Sequence, residues 1–323
     1  MISGTIVVLF HPSKEHISNL LSLKQSCTHM VAVDNSLSPH PGLEARLAAE
    51  GIDCVSNFNR GGIAGAYNRG LEILTAKGVS LFFFFDQDSK VPPNYFADME
   101  RRCGEIPDTR FLVGPKILDI NVNRYLPAHV ITRFGFSPIS QSAADRGLLP
   151  CSSLISSGSV ISADAYRSLG PFSEDLVIDH VDTEYCFRAA SQGIPIYINT
   201  GLTIEHQLSR RVDHKWLFLT LTEWDMSPLR QYYSARNCIH ICRWYGLRFP
   251  ILLLINVITL QQIVSVMLFE KEKWKKLIAM LAGIADGLSN RFGSIETHWP
   301  GLTATVRGQN QELSPGAPPA PAR

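Results

Sequence analysis

Two carboxylates, Asp86 and Asp88, follow an apolar run, residues 81–85, that has the length of a buried strand. Alternation along a strand places side chains two residues apart on the same side, and Mg²⁺ or Mn²⁺ prefers hard oxygen ligands. The pair therefore predicts a divalent-cation site at the carboxyl end of a strand, where the metal would hold a diphosphate. The alternative is that both residues only end the strand and begin a turn.

Two further segments predict a nucleotide-binding surface. Asp34 follows the apolar strand 30–33, where a carboxylate can accept hydrogen bonds from a base or a ribose, or can form an Asx turn. Residues 59–70 combine glycines with two arginines ahead of a helix, and both features suit an anionic ligand. This segment has neither the P-loop sequence nor the dinucleotide-binding glycine pattern.

A third polar segment, residues 179–188, predicts a base at the start of a helix. Asp182 would lie in the first turn, where the helix dipole favours an ionised carboxylate. Glu184 and Arg188 are four residues apart, so we expect an ion pair that fixes the local geometry. His206 follows a strand and could bind a metal or a phosphate, or could be an ordinary structural histidine.

Strand-like and helical patterns alternate in the first third of the chain and predict the scaffold for these residues. The predicted strands are 5–10, 30–33, 81–85 and 111–113, and the predicted helices are 16–26 and 65–77. The alternation indicates βαβ units and an α/β fold with a mostly parallel sheet, which binds ligands at the carboxyl ends of its strands. Further on we predict a hairpin or excursion at 125–136, helices at 163–169 and 182–192, a strand at 194–198 and a helical region from 229.

The composition bounds the architecture and the partners. The 323 residues, of which 45% are hydrophobic, suffice for one large α/β domain with a smaller appendage. We predict a catalytic domain over 1–225, a helical C-terminal region over 226–307 and a disordered tail rich in Pro, Ala and Gly over 308–323. The 30 basic residues nearly balance the 29 acidic ones, so no overall field draws the chain to nucleic acid.

Cysteine usage and apolar runs predict the location of the protein. The seven cysteines are scattered, which indicates neither a disulfide framework nor a zinc site and fits the cytoplasm. The N-terminus is typical of a first strand and not of a secretion signal. Polar residues interrupt the apolar stretch 251–269, which favours an amphipathic or buried helix over a membrane span. Lysines at 271, 273, 275 and 276 around Trp274 predict either a peripheral contact with the anionic inner membrane leaflet or a helical cap over the ligand cleft.

In their order along the chain, these segments resemble the family 2 inverting glycosyltransferases, and within them the rhamnosyltransferase-like group. The motifs that carry the resemblance are VVLFHP at 7–12, VDNS at 33–36, NRGG at 59–62, NRG at 68–70, FDQDS at 85–89, SSGS at 156–159, DHVDTE at 179–184 and EH at 205–206. The resemblance covers residues 5 to 210, and the segment 230–237 also resembles the one that follows the catalytic core in the rhamnosyltransferase-like group. It implies the A-type glycosyltransferase fold with a helical C-terminal extension.

The resemblance also implies roles for individual residues. It implies nucleotide binding by Phe10, Asp34, Asn59, Arg60, Gly61, Asn68 and Asp86, a metal (Mg²⁺ or Mn²⁺) on Asp88 and His206, and acceptor or sugar contacts by Ser157, Gly158, Asp179 and Glu184. Asp182 would be the general base, although Val181 stands where the family usually has Glu. Asp86, Asp88, Asp182 and His206 would then gather around one pocket.

The implied reaction moves a sugar, rhamnose from dTDP-rhamnose, onto a surface polysaccharide or a lipid-linked glycan. The residues themselves do not separate rhamnose from galactofuranose or another hexose. A nucleotidyltransferase is the second enzyme class considered, but Phe10-His11-Pro12 follows the first strand where that class has a glycine-rich loop. A third alternative is an inactive glycan- or nucleotide-binding protein.

Overall fold

A computed structural model describes residues 1–133, 135–139, 144–206, 212–216, 219–224 and 226–306. The strands in this part of the chain are β1 Ser3–Leu9, β2 His29–Asp34, β3 Asp53–Ser56, β4 Leu81–Asp86, β5 Leu112–Asp119, β6 Arg124–Tyr125, β7 Ala128–Ile131, β8 Phe136–Ile139, β9 Leu148–Pro150, β10 Val160–Ser162, β11 Ile196–His206, β12 Val212–Trp216 and β13 Leu219–Glu223. The helices are α1 Lys14–Lys24, α2 Leu43–Ala49, α3 Gly62–Ala76, α4 Tyr95–Gly104, α5 Ala163–Leu169, α6 Val181–Ser191, α7 Pro228–Tyr245, α8 Leu253–Phe269, α9 Lys273–Leu288, α10 Ile295–His298 and α11 Pro300–Val306.

One large sheet forms the centre of the protein. Its strand order is β3-β2-β1-β4-β10-β5-β11-β9, and β6 pairs with β5. The pairs β3-β2, β2-β1, β1-β4 and β5-β11 are parallel, whereas β10 runs antiparallel between β4 and β5 and β9 runs antiparallel at the edge. The predicted mostly parallel sheet is therefore confirmed, and the carboxyl ends of β1, β2 and β4 lie side by side.

Strand β4 is buried on both faces, and its alternate side chains belong to two separate apolar clusters. Phe82 and Phe84 pack with the buried face of α3, which contributes Tyr67, Leu71 and Leu74. The alternate side chains Phe83 and Phe85 pack against the buried face of α4, which contributes Tyr95, Phe96 and Met99. A run without polar alternation is expected for a strand covered on both sides. This burial fixes the direction in which Asp86 leaves the sheet.

The C-terminal helices pack on the sheet domain through α7. Arg236 is fully buried, and its guanidinium donates to the backbone oxygens of Asp175 (2.7 Å) and Gly293 (2.5 Å). The side-chain amide of Asn237 donates to the backbone oxygens of Ile178 and Asp179, both at 2.9 Å. Helix α7 therefore holds the loop that leads into α6. No helix within the described ranges has both the length and the apolar character needed to cross a bilayer.

The predicted elements agree with the structure to within three residues at their ends, except that β5 and β11 are longer than predicted. The predicted helix at 163–169 is α5, and the predicted hairpin at 125–136 corresponds to the antiparallel pair β7 and β8. The strand predicted at 194–198 continues to His206 because an irregularity between Asn199 and Thr203 lets the later residues rejoin β5. The predicted tail lies outside the described residues, and the domain division stays a prediction.

Replacing Gly158 by Ala should destabilise the fold by about 3 kcal/mol. Gly158 has φ 76°, and a Cβ there would lie 2.1 Å from Cδ1 of Ile204 and 2.7 Å from the Tyr95 hydroxyl oxygen. Gly193 has a similar φ of 71° with open space around it, so Gly193→Ala should cost only about 1 kcal/mol. Urea unfolding of both variants measures the difference. Equal losses would show that Gly158 is not tightly packed.

Candidate active site

The side chain of Gln87 fixes the turn after β4 by hydrogen bonds to the end of β1. Its side-chain oxygen accepts from the backbone N–H of Phe10 (2.9 Å), and its side-chain nitrogen donates to the backbone oxygen of Phe10 (3.1 Å). The Ser89 hydroxyl accepts from the backbone N–H of Asp86 (3.0 Å) and lies 2.8 Å from the Ser157 hydroxyl. Because Gln87 and Ser89 are buried, the turn leaves the carboxylates of Asp86 and Asp88 half-buried at its outer side. Phe10, predicted to bind nucleotide, is itself buried.

The two carboxylates suit a divalent cation that shares its coordination with a substrate phosphate. Mg²⁺ is commonly held by one or two carboxylates together with substrate phosphates and water. No group of three His, Cys, Asp or Glu side chains that could hold a metal occurs in the part of the chain that the structure describes. The backbone of His206 ends β11 opposite Asp119, and a bridge between Lys90 and Glu205 brings this strand end beside the turn. The His206 side chain lies outside what is described, so its metal contact stays a prediction.

Asp182 lies in the first turn of α6 and is held by two backbone N–H groups. Its Oδ1 accepts from Thr183 (2.7 Å) and its Oδ2 accepts from Ser156 (3.3 Å). Burial raises the pKa of this carboxyl above its ordinary value, and the two N–H groups and nearby His180 oppose the rise. A carboxylate of raised pKa that is fixed at a helix N-terminus has the properties of a general base.

Tyr67 on α3 connects the turn after β4 to Asp182. Its hydroxyl donates to the Ser156 hydroxyl oxygen (2.8 Å), and Ser156 in turn donates its backbone N–H to Asp182. Burial raises the pKa of Tyr67 well above its ordinary value, and the charges of Asp86 and then Asp182 raise it further. The structure therefore brings both Asp86 and Asp182 close to one tyrosine. No motif in the sequence singles out Tyr67, because it occupies an ordinary core position of a helix.

A cavity of about 650 Å³ opens beside Asp182. Its polar lining comes from the α6 N-terminus and from α7 and α8, and the residues are Asp179, His180, Asp182, Thr183, Arg230, Ser234, Cys238, Thr259 and Gln262. Arg230 donates to both carboxylate oxygens of Asp179, at 2.5 and 3.2 Å. The predicted acceptor residue Asp179 therefore lines the cavity, but as half of an ion pair. A volume of this size accommodates a small ligand next to the carboxylate.

His180 and Cys238 form a polar pair on the wall of this cavity. The Sγ atom of Cys238 lies 3.2 Å from Nε2 of His180. Burial lowers the pKa of His180, but Cys238, Asp179 and Asp182 raise it to about 9. Burial raises the pKa of Cys238, but His180 outweighs this and brings it below the ordinary value. These residues lie 58 positions apart, so sequence reasoning had no means of pairing them.

Asp34 forms the Asx turn that was the alternative to nucleotide binding. Its Oδ1 accepts from the backbone N–H (3.0 Å) and the hydroxyl (2.6 Å) of Ser36, and its Oδ2 accepts from the backbone N–H of His40 (3.2 Å). The side chain is almost completely buried. A contact with a base or a ribose therefore stays a prediction, and it would require lone pairs that these bonds leave open.

The loop before α3 contains three of the predicted nucleotide-binding residues, and contacts within the protein account for the conformation of each of them. Gly61 has φ 64°, and a Cβ there would lie 2.5 Å from a Glu174 carboxylate oxygen. The side-chain oxygen of Asn59 accepts from the Asn35 amide at 3.1 Å. Arg60 is exposed and lies over the Phe58 ring, 5.7 Å from its centroid. Nucleotide contacts by Asn59, Arg60 and Gly61 stay predictions, and Arg60 is the one placed on the surface.

The predicted nucleotide contact of Asn68 stays a prediction, and in this structure the amide of Asn68 holds the loop before α6. The amide nitrogen donates to the backbone oxygen of Phe172 (3.0 Å) and to Glu174 (2.9 Å), and the amide oxygen accepts from the backbone N–H of Phe172 (2.8 Å). In this conformation Asn68 is a structural residue that joins α3 to the loop before α6.

Three of the predicted acceptor or sugar contacts stay predictions, and the structure places these residues in buried positions or outside the cavity. Ser157 is almost fully buried against Ser89, and Gly158 packs against Tyr95 and Ile204. Glu184 is 3% exposed and accepts from Arg188 (2.5 and 3.1 Å) and from the Tyr245 hydroxyl (2.5 Å). The expected Glu184–Arg188 ion pair is thus confirmed, and it anchors α6 to α7.

Solved structures identify the fold. S. aureus TarS (1–349) superposes with a TM-score of 0.55 at 13% identity, over 89% of this chain and 81% of that one. GalNAc-T7, solved with UDP, GalNAc and Mn²⁺, superposes with a TM-score of 0.54 at 10% identity, over 94% of this chain and 58% of that one. The chain thus spans little more than half the length of GalNAc-T7. The fold is the A-type glycosyltransferase fold, as predicted.

A sequence relative narrows the resemblance. The dTDP-rhamnosyl transferase RfbF of Shigella flexneri is 26% identical over 287 residues, which cover 86% of this chain and 94% of the relative. No protein-family model matches the sequence. The relative and the fold together confirm the predicted resemblance to the rhamnosyltransferase-like glycosyltransferases and the predicted enzyme class.

Proposed function

We propose that this protein is an inverting glycosyltransferase that moves a sugar from a nucleotide-sugar donor to an acceptor hydroxyl, with Asp182 as the general base. The observation that carries the proposal is the position of Asp182, which lies on the wall of a cavity of about 650 Å³ and shares Tyr67 as a neighbour with Asp86. The donor diphosphate would lie at the turn after β4, and the acceptor would enter the cavity.

The proposed reaction is a single displacement at the anomeric carbon. The acceptor hydroxyl oxygen bonds to that carbon while the bond to the nucleoside diphosphate breaks, and the hydroxyl proton passes to Asp182. His180, whose pKa is raised to about 9 by Cys238, Asp179 and Asp182, lowers the pKa of Asp182 and so favours the ionised carboxylate. Asp88, with Asp86 beside it and His206 as a second ligand, would hold Mg²⁺ or Mn²⁺. When bound, this cation would stabilise the diphosphate leaving group.

The donor proposed is dTDP-rhamnose, supported by the printed activity of the Shigella flexneri relative. A TarS structure with UDP-GlcNAc, which superposes with a TM-score of 0.53 at 12% identity, shows only that the shared fold can hold a nucleotide sugar in that protein. Galactofuranose or another hexose remains the alternative within the same class. The proposed acceptor is a lipid-linked glycan or a growing surface polysaccharide, and the proposed location is the cytoplasm.

A donor screen tests this proposal. The purified chain should release dTDP from dTDP-rhamnose in the presence of a glycan acceptor and Mg²⁺ or Mn²⁺, and it should release less nucleoside diphosphate from UDP-galactofuranose or UDP-glucose. Preference for one of the other donors would change the proposed donor sugar but would still support a glycosyltransferase. No turnover with any donor, together with intact nucleotide binding, would favour the inactive binding protein.

The rate should fall in acid as Asp182 becomes protonated. Since its pKa is raised, the acid limb of kcat/KM should lie above the ordinary range of an aspartate. His180→Asn removes a positive charge that opposes this rise, and Asn tolerates the left-handed conformation of that position (φ 63°). The acid limb of this variant should therefore move to higher pH. His29→Asn, at the start of β2, is the control and should leave the pH profile unchanged. If the acid limb of kcat/KM does not move in His180→Asn, then His180 does not influence the pKa of Asp182.

A further inference from the structure

Every described side chain that α8 exposes is apolar. These side chains are Leu253, Leu254, Val257, Leu260, Val264 and Leu268. At 100° per residue they fall within an arc of about 120° on one side of the helix. Helix α9 continues the pattern, because after Lys273 its exposed positions are Trp274, Ile278, Leu281, Ala285 and Leu288. Monomeric soluble proteins rarely expose large apolar patches, so apolar faces on two consecutive helices indicate that something covers them. We call these two faces the α8–α9 face.

The opposite side of α8 lines the candidate active site. Thr259 and Gln262 contribute to the wall of the cavity that holds Asp182, and they lie on the far side of the helix from Leu260 and Val264. One helix therefore separates the cavity from the exposed apolar surface. Whatever covers the α8–α9 face lies one helix diameter from the cavity.

Basic side chains flank the face at both ends of α8. Exposed Arg243 and Arg248 precede it, and Lys271, Lys273 and Lys275 follow it. Glu272 is the one exposed acidic side chain among the residues from 243 to 275. Lys276, which the sequence had placed in this cluster, is instead buried in an ion pair with Glu270 at 2.7 Å. Trp274 is 65% exposed between Lys273 and Lys275.

We propose that the α8–α9 face docks on an anionic lipid bilayer, with its leucines and Trp274 in the boundary between headgroups and acyl chains. An aliphatic face flanked by lysine, arginine and tryptophan has the chemistry of an interfacial membrane contact. A second copy of the chain fits less well, because a two-fold contact brings the same basic margins to one interface. Residues 307–323 fit poorly as a cover, since Leu313 is the one large apolar residue among them.

Docking in this way would hold the cavity at the membrane surface. This consequence rests on the proposed function, and it assigns the acceptor to the class of lipid-anchored glycans. The lipid anchor would remain in the bilayer while the sugar end enters the cavity past α8. Vesicle binding requires neither donor nor turnover, so it can be tested even if the proposed reaction is wrong.

Flotation with lipid vesicles tests the proposal. The full chain should float with phosphatidylcholine vesicles that contain about one third phosphatidylglycerol, and raising the salt should weaken the binding. The double variant Leu260→Glu, Ile278→Glu should bind at least about tenfold more weakly. A second variant, Lys271→Glu, Lys273→Glu, changes only exposed charges and should lose binding to the anionic vesicles. Ile2→Glu, at a side chain that is 51% exposed elsewhere, should bind like the unaltered chain.

Two results would overturn the proposal. One is a full chain that ignores anionic vesicles at low salt, or variants that bind them as well as the full chain does. The other is a dimer in sedimentation experiments that Leu260→Glu, Ile278→Glu dissociates without any vesicle binding, which would make a second copy the occupant. Circular dichroism and nucleotide binding by each variant show whether it has folded.

Discussion

Asp182→Asn should lower kcat by about 10²–10⁴-fold and leave the affinity for the nucleoside diphosphate unchanged. The substitution keeps the shape of the side chain and one oxygen, which can accept from Thr183 or from Ser156 but not from both, and it removes the proton acceptor. Nucleotide affinity should persist because the turn after β4 is held by Gln87 and Ser89, not by Asp182. Single-turnover transfer and calorimetric binding of dTDP measure the two properties separately.

The stability of the same variant should depend less on pH than that of the unaltered chain. A carboxyl whose pKa is raised by folding contributes stability only while it is protonated, and that contribution is lost as the pH rises through its folded pKa. The amide does not titrate, so this loss should be missing from the variant. Thermal unfolding over a range of pH measures the difference, and an unchanged pH dependence would contradict a raised pKa for Asp182.

Asp164→Asn is the matched control for this experiment. Asp164 also lies in the first turn of a helix, α5, but it pairs with Arg167 on the surface and not with the cavity. It should leave both transfer and nucleotide binding unchanged. Normal transfer by Asp182→Asn would remove Asp182 as the base, and the carboxylate of Asp179 would become the next candidate on the same wall.

Asp88→Asn should lower kcat/KM by about 10²-fold or more and raise the metal concentration needed for half-maximal rate. The substitution would remove a charged oxygen ligand from the turn after β4 and leave Asp86 as the other carboxylate of the Asp86-Gln87-Asp88 segment. Chelation of divalent cations should likewise stop transfer by the unaltered chain. Mn²⁺ titration in the presence of dTDP, followed by electron paramagnetic resonance, reads the metal affinity without any turnover.

Asp98→Asn is the control for the metal experiment. Asp98 lies on the exposed side of α4 and pairs with Arg101, so its replacement removes the same charge from the protein without touching the turn. Its Mn²⁺ affinity should equal that of the unaltered chain. If Asp88→Asn binds Mn²⁺ normally, and chelation leaves transfer intact, then the Asp86-Gln87-Asp88 turn is not a metal site.

Local chemistry made several residues of the site predictable. Asp86 and Asp88 follow a strand whose apolar side chains could only be buried, so the carboxylates had to emerge at its end. Asp182 was expected in the first turn of a helix, and the Glu184–Arg188 ion pair follows from helical spacing. These features depend on neighbours a few positions away, which a sequence displays directly.

Other assignments depended on contacts that span the chain. Asn68 has a side chain of the kind that often binds ligands, but its amide donates hydrogen bonds to Phe172 and Glu174, more than 100 positions later. Tyr67 occupies a core position, but its hydroxyl donates to the Ser156 hydroxyl beside Asp182, the proposed base. The pairing of His180 with Cys238 likewise arises only when α7 packs beside α6. The type of a side chain does not determine which residues far along the chain it will contact.

The sequence alone determined the alternation of strands and helices in the first third of the chain, the positions of the carboxylates and the resemblance to a glycosyltransferase family, because periodicity, turn chemistry and short motifs are local. Only the tertiary structure decided which carboxylates share a neighbour, which predicted contacts are buried, and that α8 has a cavity on one side and an apolar surface on the other. Burial is a property of packed elements, so a helix reveals its two faces only against the neighbours that cover one of them.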